Sequence, residues 1–261
     1  MNRSSIFWGI VLILFGALFI LNNLGYFNFN LWQIIGPVLL ILFGAWVILG
    51  PLLDKDDSLT NVSVPLEQVN SADIKFDFAA GKLSIFGNSN SSSILEGRIR
   101  GGHEIVKKVN NSKGIYHLNI KPSFFPFLWI PYRYEWNLHL NNSIPLSLTF
   151  NTGATDTTVD LTGLKIRGFL LNTGASSTNI ILSSEPGTGQ YVVKAGLAAV
   201  KIEIPGEVGA RIRATTGLGI VNVDHSRFTR IHGEYRSSNF ETAPSKADLV
   251  IEIGLGSVDI V

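Results

Sequence analysis

Residues 148–160 read LTFNTGATDTTVD, and residues 169–181 read FLLNTGASSTNII. Each stretch alternates apolar and polar side chains on both sides of a glycine, as a β-strand does when one face is buried. The glycines from Gly153 to Gly217 are 21, 22 and 21 residues apart, a spacing typical of stacked repeats. Six glycines occupy the same place in this pattern: Gly81, Gly153, Gly174, Gly196, Gly217 and Gly254.

The alternation predicts which side chains face the interior. Counting from each glycine, positions −5 and −3 on the arriving strand and +4 and +6 on the departing strand should point inward. Of these 24 positions 21 are apolar, so the same β-structural unit recurs along the chain. We therefore expect an all-β repeat domain, a single-stranded β-helix or solenoid of about 21 residues per rung.

The six glycines are predicted to be structural corners. A sharp bend between two strands often needs a positive φ or leaves no room for a Cβ atom, and glycine satisfies both conditions. The alternative fold is a β-sandwich whose hairpins happen to be evenly spaced. The regular phase between successive units favours parallel stacking of equivalent strands.

The first 53 residues form the second strong signal, because Arg3 is their only charged side chain. Two apolar stretches, residues 6–24 and 32–53, are each long enough to cross a bilayer as a helix. This pattern predicts a transmembrane helical hairpin. A signal peptide is the alternative for the first stretch, but no small-residue cleavage site follows it and a second apolar run does.

Residues 54–61 are predicted to be a short polar linker, and residues 62–261 to be the β-domain. Two spans place both chain ends on one side of the membrane. The flanking cations Arg3 and Lys55 lie on that side, whereas the loop at residues 22–30 carries none. Positive charge marks the cytoplasmic side, so we expect a multi-pass membrane protein with a cytoplasmic β-domain.

Composition gives little support to other classes of function. Beyond residue 53 there are 20 basic residues (the chain's 21 minus Arg3) and 20 acidic residues, so no overall field favours nucleic acid. No cysteine is present, no histidine pair has metal-ligand spacing, and no glycine-rich corner leads into a helix that could bind a nucleotide. We therefore expect no catalytic, cofactor or metal site.

An uncharged aromatic segment interrupts the repeat between Pro122 and Pro131. Strand patterns flank it, so we expect an aromatic hairpin insertion at about residues 115–140. Its tip either caps the open end of the solenoid or contacts the membrane or a transmembrane partner. The residues expected to make this contact are Phe124, Phe125, Phe127, Leu128, Trp129 and Ile130.

Several motifs resemble, in order and spacing, the toast-rack domain of LiaF-like proteins. The first 53 residues also resemble the LiaF-type membrane region, so the resemblance covers nearly the whole chain. The motifs are EWNLHL at 135–140, IPLSL at 144–148, NTGA at 151–154, IPGEVG at 204–209, TGLG at 216–219 and GLGSV at 254–258.

The resemblance implies a membrane-anchored, non-enzymatic regulator of a cell-envelope stress response. Its partners would be the lipid bilayer and a membrane histidine kinase or other membrane protein. One alternative is a membrane-associated scaffold, in which exposed solenoid edges self-associate end to end. The final residue, Val261, has no evident polar cap, which favours this scaffold slightly. Another alternative is an extracytoplasmic binder of envelope polymers.

Overall fold

The structure is a computed structural model, and it describes residues 59–87, 92–110, 112–120 and 134–261 with a few isolated positions before them. The chain divides into two compact units, Met1–Asp54 and Lys55–Val261. The helical positions described in the first unit are Ile13, Gly16, Gly36, Pro37, Leu40, Ile41 and Gly44.

The predicted spans at residues 6–24 and 32–53 otherwise lie outside the described residues, as does most of the predicted linker. Across the residues that are described, no helix is long and apolar enough to cross a membrane.

In the described part of the second unit, 13 strands belong to one sheet. They are β1 (Leu59–Pro65), β2 (Ser71–Gly87), β3 (Ser93–Arg100), β4 (His103–Asn110), β5 (Lys113–Ile120), β6 (Glu135–Leu140), β7 (Leu146–Asp160), β8 (Ile166–Ile181), β9 (Gly187–Glu203), β10 (Gly209–Val223), β11 (Phe228–Ile231), β12 (Glu234–Ser237) and β13 (Ser245–Ile260). The strand order is β1-β3-β6-β2-β7-β8-β9-β13-β10-β12-β11, with β4 and β5 on a side branch beside β2.

Six long strands form the body of the sheet, and all of them pair in parallel. In β7 the buried side chains are even-numbered up to Thr152 and odd-numbered from Thr155. Both arms of the strand can face one core only if the chain turns near Gly153, which agrees with the predicted bend. The all-β, toast-rack prediction is confirmed, and parallel pairing excludes the β-sandwich built from hairpins.

The stacking order differs from the chain order at one place. The sequence pattern predicts β10 beside β9, but β13 lies between them, with Leu255 paired to Leu197 on one side and to Leu218 on the other. The chain therefore leaves the stack after β9, forms a later rung first, and returns to fill the space between. Consequently Val261 does not lie at the end of the stack, and the lack of a polar cap there does not favour an end-to-end scaffold.

The expected hairpin at residues 115–140 also differs from the observed pairing. Strand β5 pairs with the first arm of β2, and β6 pairs with its second arm, both in parallel. The antiparallel partners of β5 and β6 are β4 and β3 respectively. Together β5 and β6 form one interrupted rung, whose two parts pair with β2 on either side of its residues 78–81.

The inner face matches the predicted positions closely. Of the 24 positions, 21 are buried, and the exceptions are Gly87, Ala214 and Val221. Aromatic rings connect successive rungs inside the core: Phe76 stacks on Phe150 with ring centres 4.7 Å apart, and Phe150 lies 5.4 Å from Phe169. Such contacts stabilise the stack beyond the burial of apolar area alone.

The corner glycines form a column through the bends. A Cβ atom on Gly174 would lie 3.1 Å from the carbonyl oxygen of Gly153, and one on Gly196 would lie 3.0 Å from that of Gly174. The column continues through Gly254 and Gly217. A Cβ on Gly254 would lie 2.8 Å from the carbonyl oxygen of Gly196, and one on Gly217 would lie 2.7 Å from that of Gly254. Each rung thus places a backbone oxygen where its neighbour would carry a side chain.

Replacing Gly254 with alanine tests this column. The new Cβ would press against a backbone oxygen that cannot rotate away, so we expect a loss of about 1–3 kcal/mol in the free energy of unfolding. The measurement is urea denaturation of residues 55–261. The matched control is Gly206→Ala, whose Cβ would meet no atom within 4 Å, and which should stay within about 0.5 kcal/mol of the parent. Equal effects of the two substitutions would contradict the column.

Candidate functional site

The described end of the stack leaves most of β10 without a neighbour on one side. Of the residues of β10, only Arg211 and Ile212 pair with β12. Along residues 213–223, β13 lies on one side and no described strand pairs on the other. Alternate backbone N–H and C=O groups of a parallel strand point to each side, so this edge presents free hydrogen-bonding groups.

Exposed leucines line the bend next to this edge. Leu197, Leu255 and Leu218 each follow a column glycine, and the strand register places them side by side. Their exposed fractions are 54%, 46% and 73%. We call these three residues the apex ridge. Three large apolar side chains exposed side by side form an apolar surface patch, and such patches are candidates for interaction sites.

The ridge exists only on the last rungs of the stack. The equivalent residues of the earlier rungs are Ala80, Ala154 and Ala175, which pair with one another in the same register. Farther along β10, Ile220 is also 64% exposed. Large apolar side chains are therefore exposed at the bend in the three rungs nearest the open edge.

Two further glycines in the last rungs, Gly256 and Gly219, allow the backbones to approach closely next to the apex ridge. Gly256 has φ +138°, and a Cβ there would lie 1.8 Å from the carbonyl oxygen of Ala198. A Cβ on Gly219 would lie 2.0 Å from the carbonyl oxygen of Gly256. Because the backbones approach closely at these points, the side chains of Leu218 and Leu255 point outward from a rigid turn.

Charged groups frame the first arm of β10. The Arg211 Nε atom donates to Asp248 Oδ1 at 3.2 Å, and Arg213 Nη2 lies 3.3 Å from the same oxygen. Hydrogen bonding from Arg211 lowers the pKa of Asp248, even though partial burial acts in the opposite direction. The Phe240 ring is contacted by Arg236 at 5.2 Å and Lys246 at 5.6 Å. The first arm is thus held by ion pairs, whereas the second arm is uncharged.

The opposite end of the sheet carries a shallow polar groove on β1, β3 and β6, with a volume of about 540 Å³. Strand register brings together Asn61, Arg98 and Asn137 in one row, and Ser63, Glu96 and His139 in the next. Phe86 stacks on His139 with ring centres 5.5 Å apart. Amide, hydroxyl and charged groups beside an aromatic ring form a surface suited to a polar ligand.

Another polar cluster lies on the outer face of β2. Burial raises the pKa of Asp77, but hydrogen bonds from Asn151, His117 and Lys75 outweigh it and lower the pKa overall. Asn151 Nδ2 donates to Asp77 Oδ1 at 2.7 Å, and Asn151 Oδ1 accepts from Asn172 Nδ2 at 2.9 Å. These bonds join successive rungs, which is a structural role. Within the described residues, no group of His, Asp and Glu side chains is arranged to bind a metal.

Comparison with known proteins places this geometry in a family. The family model described as the N-terminal domain of toast_rack, DUF2154, matches residues 54–203, more than half of the chain. The chain belongs to the toast-rack family. A second model, the LiaI-LiaF-like transmembrane region, matches residues 6–48. The chain is therefore a LiaF-like membrane protein with a toast-rack domain, as its sequence motifs predicted.

A solved structure shares the fold at low sequence identity, while no curated protein matches the chain. A protein described as a "putative cell adhesion protein" from Clostridium sporogenes ATCC 15579 is 20% identical, covering 78% of this chain and 98% of its own, with a TM-score of 0.72. A "putative adhesin" from Bacteroides fragilis NCTC 9343 covers 78% and 97% at 11% identity, but its TM-score of 0.28 carries no argument. The first likeness supports the fold alone.

Of the six glycines predicted to be corners, Gly153 and four others stack in the column, where a Cβ would lie within 3.1 Å of a backbone oxygen. The prediction that Gly81 occupies the same place is wrong, because the register pairs Gly81 with Thr155, two residues beyond the column. Gly81 has a close approach too, with φ +117° and a Cβ position 2.2 Å from the carbonyl oxygen of Tyr134. The aromatic contact residues 124–130 lie outside the described residues.

The apex ridge and the open edge were not among the predicted site residues. A signal for the ridge was present, because the residue after each column glycine changes from alanine to leucine between Ala175 and Leu197. No sequence signal identified the edge, since it depends on β13 lying inside the stack. Leu218 and Ile220 both lie beyond residue 203, where the match to the toast-rack family model ends.

The ion pair beside the edge gives a pH-dependent contribution to stability. Because the folded pKa of Asp248 is lowered, its stabilisation is complete above the unfolded value of about 4 and is lost as the pH falls through the folded value. We expect Asp248→Asn to unfold at lower urea concentration at pH 7 and to show a flatter loss of stability between about pH 5 and 2.

The measurement is urea denaturation of residues 55–261 across this pH range. Asp156→Asn is the control, since Asp156 is an exposed carboxylate on β7, and its profile should follow the parent. An unchanged slope for Asp248→Asn would show that the pair with Arg211 does not contribute.

Proposed function

We propose that this LiaF-like protein is a membrane-anchored, non-enzymatic regulator that binds other membrane proteins and modulates a cell-envelope stress response. The observation that carries the proposal is the apex ridge on a domain whose chain also matches a LiaI-LiaF-like membrane region. The matched families are LiaF-like and toast-rack families rather than known enzyme families. A regulator of this kind acts through contacts, and the ridge supplies an apolar one.

The partner would be a membrane histidine kinase or another protein in the same bilayer. A short connection between the membrane region and β1 restricts the domain to the neighbourhood of the membrane, which raises the effective concentration of membrane partners. The ridge offers Leu197 and Leu255 as anchors on a rigid turn, and rigid anchors lose little conformational entropy on binding. The aromatic segment at residues 124–130 is a second candidate contact with the membrane or this partner.

The β-domain would lie in the cytoplasm, following the charges of Arg3 and Lys55. The second candidate function, an extracytoplasmic binder of envelope polymers, is favoured by the polar groove lined by Glu96, Arg98 and His139. Hydroxyl-rich polymers are recognised by such side chains next to an aromatic ring. The two functions require opposite sides of the membrane.

Cysteine labelling in cells tests on which side of the membrane the β-domain lies. The gene is replaced by a version with Ser238→Cys, an exposed position in a cysteine-free chain, and cells are treated with a membrane-impermeant maleimide. We expect protection in intact cells and labelling after lysis. Asn28→Cys, between the predicted spans, is the reciprocal probe and should label in intact cells. Labelling of Ser238→Cys in intact cells would exclude the cytoplasmic regulator and favour the polymer binder.

The regulatory role is read from an envelope-stress reporter in the same background. Deletion of the gene should change reporter output, and the full chain should restore it. The double variant Leu197→Ser/Leu255→Ser should fail to restore it while accumulating normally, because both side chains are exposed and contribute little to the core. Val106→Ser, 52% exposed on β4, is the control and should behave as the parent. Full activity of the double variant would exclude the ridge as the contact.

A further inference from the structure

The described fold ends in four unpaired edges: β1, β4, β11 and residues 213–223 of β10. Native sheets protect such edges with lysine, proline or shortness. Strand β4 carries Lys107 and Lys108, β1 ends at Pro65 with a register shift, and β11 is four residues long. Residues 215–223 of β10 contain no charge and no proline. This is the longest such stretch among the four described edges, since on β1 only residues 59–64 lack both.

The core is also incomplete on this side. Val221 is only half-buried, whereas the equivalent residues of the interior rungs, Val200 and Val258, are 1% and 0% exposed. Ala214 is half-buried in the same way on the first arm. The inner face of an ordinary rung is covered by a neighbour on each side, and β10 has one neighbour along its second arm. A further strand along this arm would complete the burial of Val221.

We infer that two copies of this protein form a closed dimer by antiparallel pairing of the second arm of β10 with the same arm of a second copy. A two-fold axis at Ile220 pairs residues 218–222 along the whole straight part of the arm. In this register Leu218 lies opposite Asn222 of the other copy, and the two Ile220 side chains meet. A register centred nearer Gly217 would have to pair across the bend.

The chemistry of the arm fits a second copy. Homotypic pairing of a charged strand places like charges opposite each other, which is destabilising, but this arm is uncharged. Leu218 and Ile220, exposed by 73% and 64%, become partly buried in the dimer. The interface is short, and membrane anchoring compensates, because two copies in one bilayer meet at a high effective concentration. The inference therefore depends on the anchor and not on the regulatory role.

Closure distinguishes this dimer from the scaffold considered from the sequence. A two-fold contact uses the same edge on both copies, so no free β10 edge remains for a third copy. Growth at the far end would need β1 or β4, and those edges carry Pro65 or the lysines at 107 and 108. The structure thus favours pairs over filaments.

Disulfide trapping in the full chain tests the inference. Three single-cysteine variants, Ile220→Cys, Val106→Cys and Leu59→Cys, sample the edges of β10, β4 and β1 at exposed fractions of 64%, 52% and 51%. Each is reconstituted in vesicles of phosphatidylethanolamine and phosphatidylglycerol and given a brief oxidising pulse. Opposed residues in an antiparallel pair have Cα atoms about 4.5–5.5 Å apart, within the range for a disulfide.

We expect Ile220→Cys to form a covalent dimer at least tenfold faster than the other two variants. Adding Leu218→Lys to Ile220→Cys should slow trapping at least tenfold, since each copy would bring a charge into the interface, while Leu218→Ile should preserve it. Unfolding curves of these variants should match the parent, because residue 218 is mostly exposed.

Three results would overturn the inference. They are the absence of an Ile220→Cys dimer, equal trapping rates at all three edges, and a mixed disulfide between Ile220→Cys and Leu59→Cys at the rate of the homodimer. The last result would indicate head-to-tail growth. Trapping in purified vesicles is independent of the stress reporter, so this inference and the proposed function fail separately.

Discussion

The contact between backbone atoms at the bends is the constraint on which the domain depends. Each column glycine leaves space for a carbonyl oxygen of the adjacent rung, such as that of Gly196 beside Gly254. A side chain at this point would push the neighbouring backbone away and strain the parallel hydrogen bonds next to the bend. Because the bends stack, the arms on either side remain in register and enclose one apolar core.

Much of this architecture could be predicted from the sequence, because a period of two on each side of a glycine determines which side chains are buried. The order of the rungs could not be predicted. Residues 212–223 and 249–260 have nearly the same apolar pattern, so either strand fits beside β9 by burial alone. The interrupted rung was missed for a related reason: β5 and β6 look like neighbours in the chain, but each pairs with a different arm of β2.

The order of the rungs decides which strand forms the open edge. In the observed order Leu255 lies between Leu197 and Leu218 in the apex ridge, although these three leucines would be neighbours in either order of the last two strands. The insertion of β13 leaves β10 at the end, where its uncharged arm lacks a partner among the described residues. A membrane-anchored LiaF-like protein therefore has two adjacent apolar features, one at the bend and one at the edge. The first suits a partner side chain or groove, and the second suits another strand.

The place of β13 in the stack is the central claim, and pairs of cysteines in residues 55–261 test it most directly. Register partners in adjacent strands have Cα atoms about 4.8 Å apart, whereas strands two places apart are separated by about twice that distance, too far for a disulfide. The structure predicts that Leu197→Cys/Leu255→Cys forms an intramolecular disulfide under dilute oxidising conditions and that Leu197→Cys/Leu218→Cys does not. The opposite result would mean that β10 follows β9 directly. The three leucines would still be neighbours, but the open edge would belong to β13 and not to β10.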